Sequence, residues 1–266
     1  MKIIRFQDPS GEIQFGEPLN AQSAYLIEGN IFETYRVTDR VVSMEKLLAP
    51  VVPPTILCIG LNYRQHAEET GAKIPEHPVL FIKAANALNN PDDPIVIPNI
   101  APGQVDYECE LAVVIGKTAK NVPRSEALDY VLGYTCANDV SARRWQKEGG
   151  AKQWCRGKSF DTFCPLGPCV VTPDDIPNPN NLKITTTLNG ETMQDSTTSD
   201  MIFDVPTLIS FLSEGTTLLP GTVILTGTPQ GVGFARNPPI FLKGGDRVMI
   251  QIEHIGDLSN PVQEEV

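Results

Sequence analysis

The stretch VDYECELAVVIG, residues 105–116, places an acid at every second position: Asp106, Glu108 and Glu110. The apolar run behind them reads as a buried strand, and side chains alternate between the two faces of a strand. The three carboxylates therefore share one face, while Tyr107, Cys109, Leu111 and Val113 share the other. Any fold of this chain must bury that strand and also answer a row of like charges. Carboxylates this close either raise one another's pKa or share a cation. Two or three carboxylates plus water are the usual protein setting for Mg2+, which keeps positions open for substrate oxygens. A further oxygen ligand must come from elsewhere. Asp139, in CANDVSARRWQ, ends an apolar strand just before a polar helix, a common place for a site. Asp106 lies near the loop APGQ and reads as a solvated acid outside the site; Glu108 and Glu110, set against LAVVIG, read as ligands.

The rest of the chain punctuates into short strands and a few helices. KIIRF, EIQFG and AYLIEG read as strands, and a brief helix is expected over MEKLL after Ser43 as N-cap. The three prolines of APVVPP restrict the backbone and read as a linker. They divide the chain into a small N-terminal β-rich domain with linker, 1–53, and a larger domain, 54–266. In the larger part TILCIGL, VLFIK, PIVIP, GYTCAND, TVILTGT and DRVMIQIEHIG read as strands. NYRQHAEETG reads as a short helix closing at Gly71, SEALDYV as a helix from Ser125, and SARRWQKEGG as helical. VPTLISFLSEG has Pro206 early and Gly215 after it, as a helix should. Asn189-Gly190 marks the turn of a hairpin. Strands outnumber helices and hairpins are mixed in, so the expected class is α+β, β-rich, and not a doubly wound parallel sheet.

Composition narrows the partners. At 266 residues the chain can bury a sizeable core, and a formal net charge of −11 argues against nucleic acid and anionic membranes. The opening residues lack the apolar core of a signal peptide and no run approaches a membrane span, so a cytoplasmic protein is expected. None of the six cysteines forms a C-x-x-C pair, and they read as reduced, inert thiols. Only three histidines exist, which limits zinc and histidine-based nucleophile schemes.

Two further groups carry chemistry. His66 and Glu69, three apart on a helix, share a face; a carboxylate beside an imidazole orients it and raises its basicity, making a general base for water. Lys158, in RGKSFDTFCPLGP, stands beside a glycine turn and could stabilise an enolate or carboxylate. GKS lacks the glycine five residues upstream that a phosphate loop needs. TGTPQGVGFA has Arg236 where a dinucleotide fingerprint needs Gly or Ala. That loop instead offers Thr226, Thr228 and backbone N–H groups to an anion.

Taken together and in this order, ILCIGLNYRQHAEE, DYECELAVVIG, NDVSARRWQ, GKSFDTFCPLGP, NGETMQ, TSDMIF and ILTGTPQGVG resemble the fumarylacetoacetate hydrolase superfamily over roughly residues 54–266. The resemblance is greatest to its acylpyruvate hydrolase, oxaloacetate decarboxylase and oxaloacetate tautomerase group. It implies a mixed β-sandwich roll, usually in a homodimer, with Mg2+ or Mn2+ bound by Glu108, Glu110 and Asp139. It implies a histidine–glutamate pair at His66 and Glu69 on a lid segment and an active-site lysine at Lys158. Substrate contacts are implied from Arg143, with Arg144 as rival, Gln146 and Thr228.

The expected activity is therefore a metal-dependent one on 2-oxo or 2,4-dioxo carboxylic acids through an enolate. Acylpyruvate-type C–C hydrolysis or oxaloacetate decarboxylation leads. Oxaloacetate tautomerisation, or hydration or isomerisation of diacids from aromatic degradation, is the alternative. A non-catalytic protein with a structural Ca2+ site is the reading from outside enzymology.

Overall fold

The computed structural model describes residues 1–149 and 152–266. The strand Cys109–Ile115 is buried at every position and lies inside a twelve-stranded sheet. It pairs antiparallel with Val131–Asn138, Glu110 opposite Ala137, and antiparallel with Val223–Leu225, Ala112 opposite Leu225. Ile56–Gly60 then runs parallel to Val223–Leu225, and Val79–Lys83 forms the edge. On the other side Val131–Asn138 pairs with Cys164–Val171, which the first strand, Lys2–Gln7, joins through Lys2 and Ile3. The N-terminal strands thus continue the sheet that carries the acids.

A five-stranded sheet covers one face of that strand: the Cys109 thiol points at the Thr185 carbonyl, 3.3 Å away. Cys109, Leu111 and Val113 fill the space between the sheets, which is why alternation gives way to a continuous apolar run. Full burial of a side chain such as Leu111 stabilises the fold by about 1.5–3 kcal/mol relative to exposure. Glu110 points to the opposite face, away from this layer. The fold is β-rich with few helices, as the pattern of elements indicated.

Local expectations hold where the chemistry is local. Asn189 and Gly190 both take positive φ, 53° and 86°, in the hairpin between Lys183–Leu188 and Glu191–Thr197. The helix Val205–Ser213 is capped by Asp204, whose Oδ1 accepts from the Thr207 N–H at 3.0 Å. The helix Arg64–Thr70 closes on Gly71 at φ 64°. MEKLL is a correction: Lys46–Leu48 is a strand pairing with Lys2–Gln7, because an open sheet edge outweighs helix propensity over so few residues. SEALDYV forms a 3-10 turn, Arg124–Tyr130, in place of an α-helix.

After Asp139 the chain makes a two-residue strand, Ser141–Ala142, which pairs with Val105–Asp106 before the π-helical turn Trp145–Gly149. The expected helix reached residue 150, which lies outside the described residues. That small pairing carries Arg143 to Asp106. Among the described residues no helix is long and apolar enough to cross a membrane.

Candidate active site

Glu108, Glu110 and Asp139 converge, each offering an oxygen within 4.8 Å of the others, and all three are buried. Their spacing along the strand explains only two of them. Asp139 arrives because Val131–Asn138 runs antiparallel beside Cys109–Ile115 and its end folds back, the Asp139 N–H donating to the Glu108 carbonyl at 2.9 Å.

The cations around them divide the three acids into unequal members. Lys158 donates to Glu108 Oε2 and to Asp139 Oδ2, each at 2.7 Å. Arg143 Nη1 lies 2.6 Å from Glu108 Oε1, and Lys83 donates to Asp139 Oδ1 at 2.5 Å. Burial pushes the Glu108 carboxyl up, but Lys158 and then Arg143 outweigh it and hold it at about 2. Lys158, disfavoured by burial, is kept charged by Asp139 and Glu108, its pKa above the ordinary lysine value. Among the described residues Glu110 has no such hydrogen-bonded cation: its Oε2 accepts the Gly227 N–H, at 2.7 Å. Burial, then Asp139 and Glu108, drive its carboxyl well above the usual range.

This asymmetry tests whether a divalent ion fits. With Asp106 included and all four acids counted as ionised, four buried carboxylates face three buried cations, Lys83, Arg143 and Lys158; the fourth charge, on Glu110, is uncompensated, which is why its carboxyl holds its proton until a cation arrives. Hard oxygen donors with excess negative charge suit Mg2+ or Mn2+. The ion would turn the excess into one positive charge, which an anionic ligand can meet.

Asp106 is a correction: it is not solvated but wholly buried. Its Oδ1 accepts the Gly233 N–H at 2.8 Å, and its Oδ2 accepts the Phe234 N–H at 3.0 Å and Arg143 Nε at 2.8 Å. The glycine-rich loop is corrected with it. Four of its N–H groups are taken by the protein's own carboxylates, Gly227 by Glu110, Gly231 by Glu69, and Gly233 and Phe234 by Asp106. Thr226 spends its hydroxyl on the Leu111 carbonyl. Thr228 stays available, because its Oγ1 accepts from Gln194 at 2.9 Å and so leaves its own O–H to donate.

His66 and Glu69 meet as their spacing required, Nδ1 to Oε1 at 2.7 Å, while Glu69 Oε2 accepts the Gly231 N–H at 2.9 Å. Arg143 Nη1 donates to Gln146 Oε1 at 3.0 Å, which leaves the Gln146 amide N–H groups for a ligand. Seven of these side chains line one cavity of about 360 Å³, His66, Glu108, Glu110, Arg143, Gln146, Lys158 and Thr228, with Phe81, Trp154 and Phe234 as apolar walls. Asp139 is held by Lys158 and is not part of the lining, and Arg144 is exposed and outside the lining, whereas Arg143 is part of it. Sequence reasoning passed over Lys83. VLFIK alternates, so Lys83 shares the inward face with Phe81, and a lysine there needs an acid.

The chain belongs to the fumarylacetoacetate hydrolase family: residues 55–263 match the family model described as fumarylacetoacetate (FAA) hydrolase C-terminal. It is 51% identical over 217 residues to the Xenopus laevis protein named oxaloacetate tautomerase fahd2, mitochondrial, covering 81% of this chain and 68% of that one. It is 49% identical over 238 residues to the Dictyostelium discoideum fumarylacetoacetate hydrolase domain-containing protein 2 homolog, covering 85% and 78%. Among solved structures it resembles 5-carboxymethyl-2-hydroxymuconate delta-isomerase from Mycobacterium smegmatis, with TM-score 0.87 and 40% identity over the whole of both chains. The fumarylacetoacetate hydrolase of Exiguobacterium antarcticum aligns with TM-score 0.88 and 38% identity, again over the whole of both chains.

Proposed function

We propose that this protein catalyses keto–enol interconversion of 2-oxo dicarboxylic acids, with oxaloacetate as the representative substrate. The observation that carries this reading is the His66–Glu69 pair. Glu69 fixes Nδ1, so the imidazole presents Nε2 at a cavity whose far wall is the acid cluster. Interconversion needs a proton taken from one atom and returned to another. His66 Nε2 is placed to take the enol O–H proton and deliver it to carbon 3, or in the reverse direction to take the carbon 3 proton and return it to the 2-oxo oxygen, and Glu69 stabilises the charge that this creates. Lys158 uses two N–H groups on Glu108 and Asp139; its third supports negative charge on the 2-oxo oxygen. Gln146 and Thr228 bind the adjacent carboxylate. Glu108, Glu110 and Asp139 are the residues that would hold Mg2+ or Mn2+, an ion whose chemistry is to polarise the 2-oxo group. The name of the Xenopus relative supports this substrate and reaction.

Hydrolysis or decarboxylation is the second reading, because an enolate is common to all three reactions. It is favoured by the family's hydrolase members, of which the Exiguobacterium protein is one. One experiment separates them: follow loss of enol-oxaloacetate absorbance, with parallel enzymatic detection of pyruvate, in Mg2+ and again in EDTA. Accelerated enol loss without pyruvate, abolished by EDTA, is expected. Pyruvate released at the rate of enol loss would replace tautomerisation with decarboxylation. No acceleration in either buffer would overturn the proposal.

A further inference from the structure

The basic side chains that line the cavity are not equivalent. Arg143 is committed to Asp106 and Glu108, Lys158 to Glu108 and Asp139, and His66 to Glu69. Lys147 also lines the cavity, yet among the described residues it has no carboxylate partner. Its ammonium rests 4.2 Å from the centre of the Phe234 ring. Phe234 is not a casual neighbour. Its N–H is held by Asp106, and the Arg143 guanidinium lies 4.4 Å from the same ring. The shelf that carries Lys147 is therefore fixed to the acid cluster through one buried residue. An ammonium on an aromatic face keeps its N–H donors for another acceptor.

A ligand whose 2-oxo carboxylate occupies the cluster end must put the rest of itself among Phe81, Trp154 and Phe234. A methyl group is at ease there; an ionised carboxylate without a partner is not. From the juxtaposition of Lys147 and Phe234 at the cavity rim we infer that Lys147 receives the distal carboxylate of the ligand. It makes the site selective for 2-oxo diacids over 2-oxo monoacids. The inference rests on the 2-oxo diacid reading above and deepens it by naming the residue that receives the second carboxylate.

The test uses two acids identical but for their ends, 2-oxoglutarate and 2-oxovalerate, titrated calorimetrically into the Mg2+-loaded protein. Binding requires no turnover, so it is read independently of the proposed reaction. The wild-type protein is expected to bind the diacid about three- to tenfold more tightly, the scale of a partly exposed ion pair. Lys147→Met, which keeps the stem on Phe234, should bring the ratio of the two affinities to about one, and Lys147→Arg should restore the preference. Equal affinities in the wild type, or a ratio that Lys147→Met leaves unchanged, would overturn the inference. Should the diacid preference stand while enol-oxaloacetate decays no faster, the reaction is wrong and the assignment of Lys147 survives.

Discussion

The backbone N–H of Gly227 donates to Glu110 Oε2 across 2.7 Å, and it is the one hydrogen-bond donor that Glu110 has among the described residues. A loop glycine thereby orients the acid on which the excess negative charge falls. Gly227 has φ 96°, and a Cβ there would stand 2.8 Å from Asn62 Cβ and 3.0 Å from the Ile59 carbonyl. Asn62 cannot easily yield, since its amide binds the Phe203 and Thr226 carbonyls. Gly227→Ala should cost about 1–3 kcal/mol in urea denaturation and weaken Mg2+ binding by calorimetry. An unchanged midpoint with unchanged ion affinity would show that the loop does not position Glu110.

Lys83→Met leaves Asp139 with Lys158 alone and adds one more uncompensated charge to the cluster. Removing one partner of a buried pair costs about 3–5 kcal/mol, so the urea midpoint should fall by a matching amount. Saturating Mg2+ should recover more stability in this variant than in the wild type, because the ion meets more negative charge. Equal recovery in both proteins would argue that the ion binds elsewhere.

On the proposed reaction, His66→Gln removes the group assigned to carry the proton and should lower kcat for enol-oxaloacetate by about 10²- to 10⁴-fold. Glu69→Gln keeps a hydrogen-bonding partner for Nδ1 but not its charge, and should cost less. Oxalate, which needs no proton transfer, should bind both variants as it binds the wild type. Retained kcat in His66→Gln would remove the imidazole from the reaction.

Asp204 gives a stability prediction that does not depend on function. Burial raises its pKa, but the Thr207 hydroxyl and N–H and the Arg124 guanidinium outweigh that and bring it below the usual carboxylate value. A depressed folded-state pKa means that the unfolded chain binds the proton more readily. Its stabilisation is therefore complete above the ordinary aspartate pKa and is lost as pH falls through the lowered one. Asp204→Ala should cost about 1 kcal/mol at neutral pH and progressively less in acid. A constant difference down to pH 2 in thermal denaturation would show that the ionised cap is not what stabilises the helix Val205–Ser213.

What the sequence conveys is what acts over short distances. Alternation placed Glu108 and Glu110 on one face, i to i+3 spacing paired His66 with Glu69, and Asn-Gly marked the hairpin. The role of Asp106 was not legible. Its four donors come from Tyr107, Arg143, Gly233 and Phe234, and three of these are far along the chain. Burial of an acid depends on where such donors end up, and a strand pattern carries no trace of them. Lys83 was missed for the opposite reason: its alternation was visible, but its partner Asp139 lies just past the end of the strand Val131–Asn138, which pairing alone brings near. The N-terminal strands offered motifs too weak to show that Lys2–Gln7 would continue the central sheet.

The turn after Val223–Leu225 spends its amide hydrogens on three of the chain's own acids, and this bears on how the enzyme can be re-engineered. Glu69, Glu110 and Asp106 take their bearings from residues 227–234 together, so an insertion there would disturb the His66–Glu69 pair, the oxygen cluster and the arginine in one stroke. New ligand preferences are better sought at the rim, where Lys147 can be exchanged without unpicking, among the described residues, a single internal bond to a carboxylate.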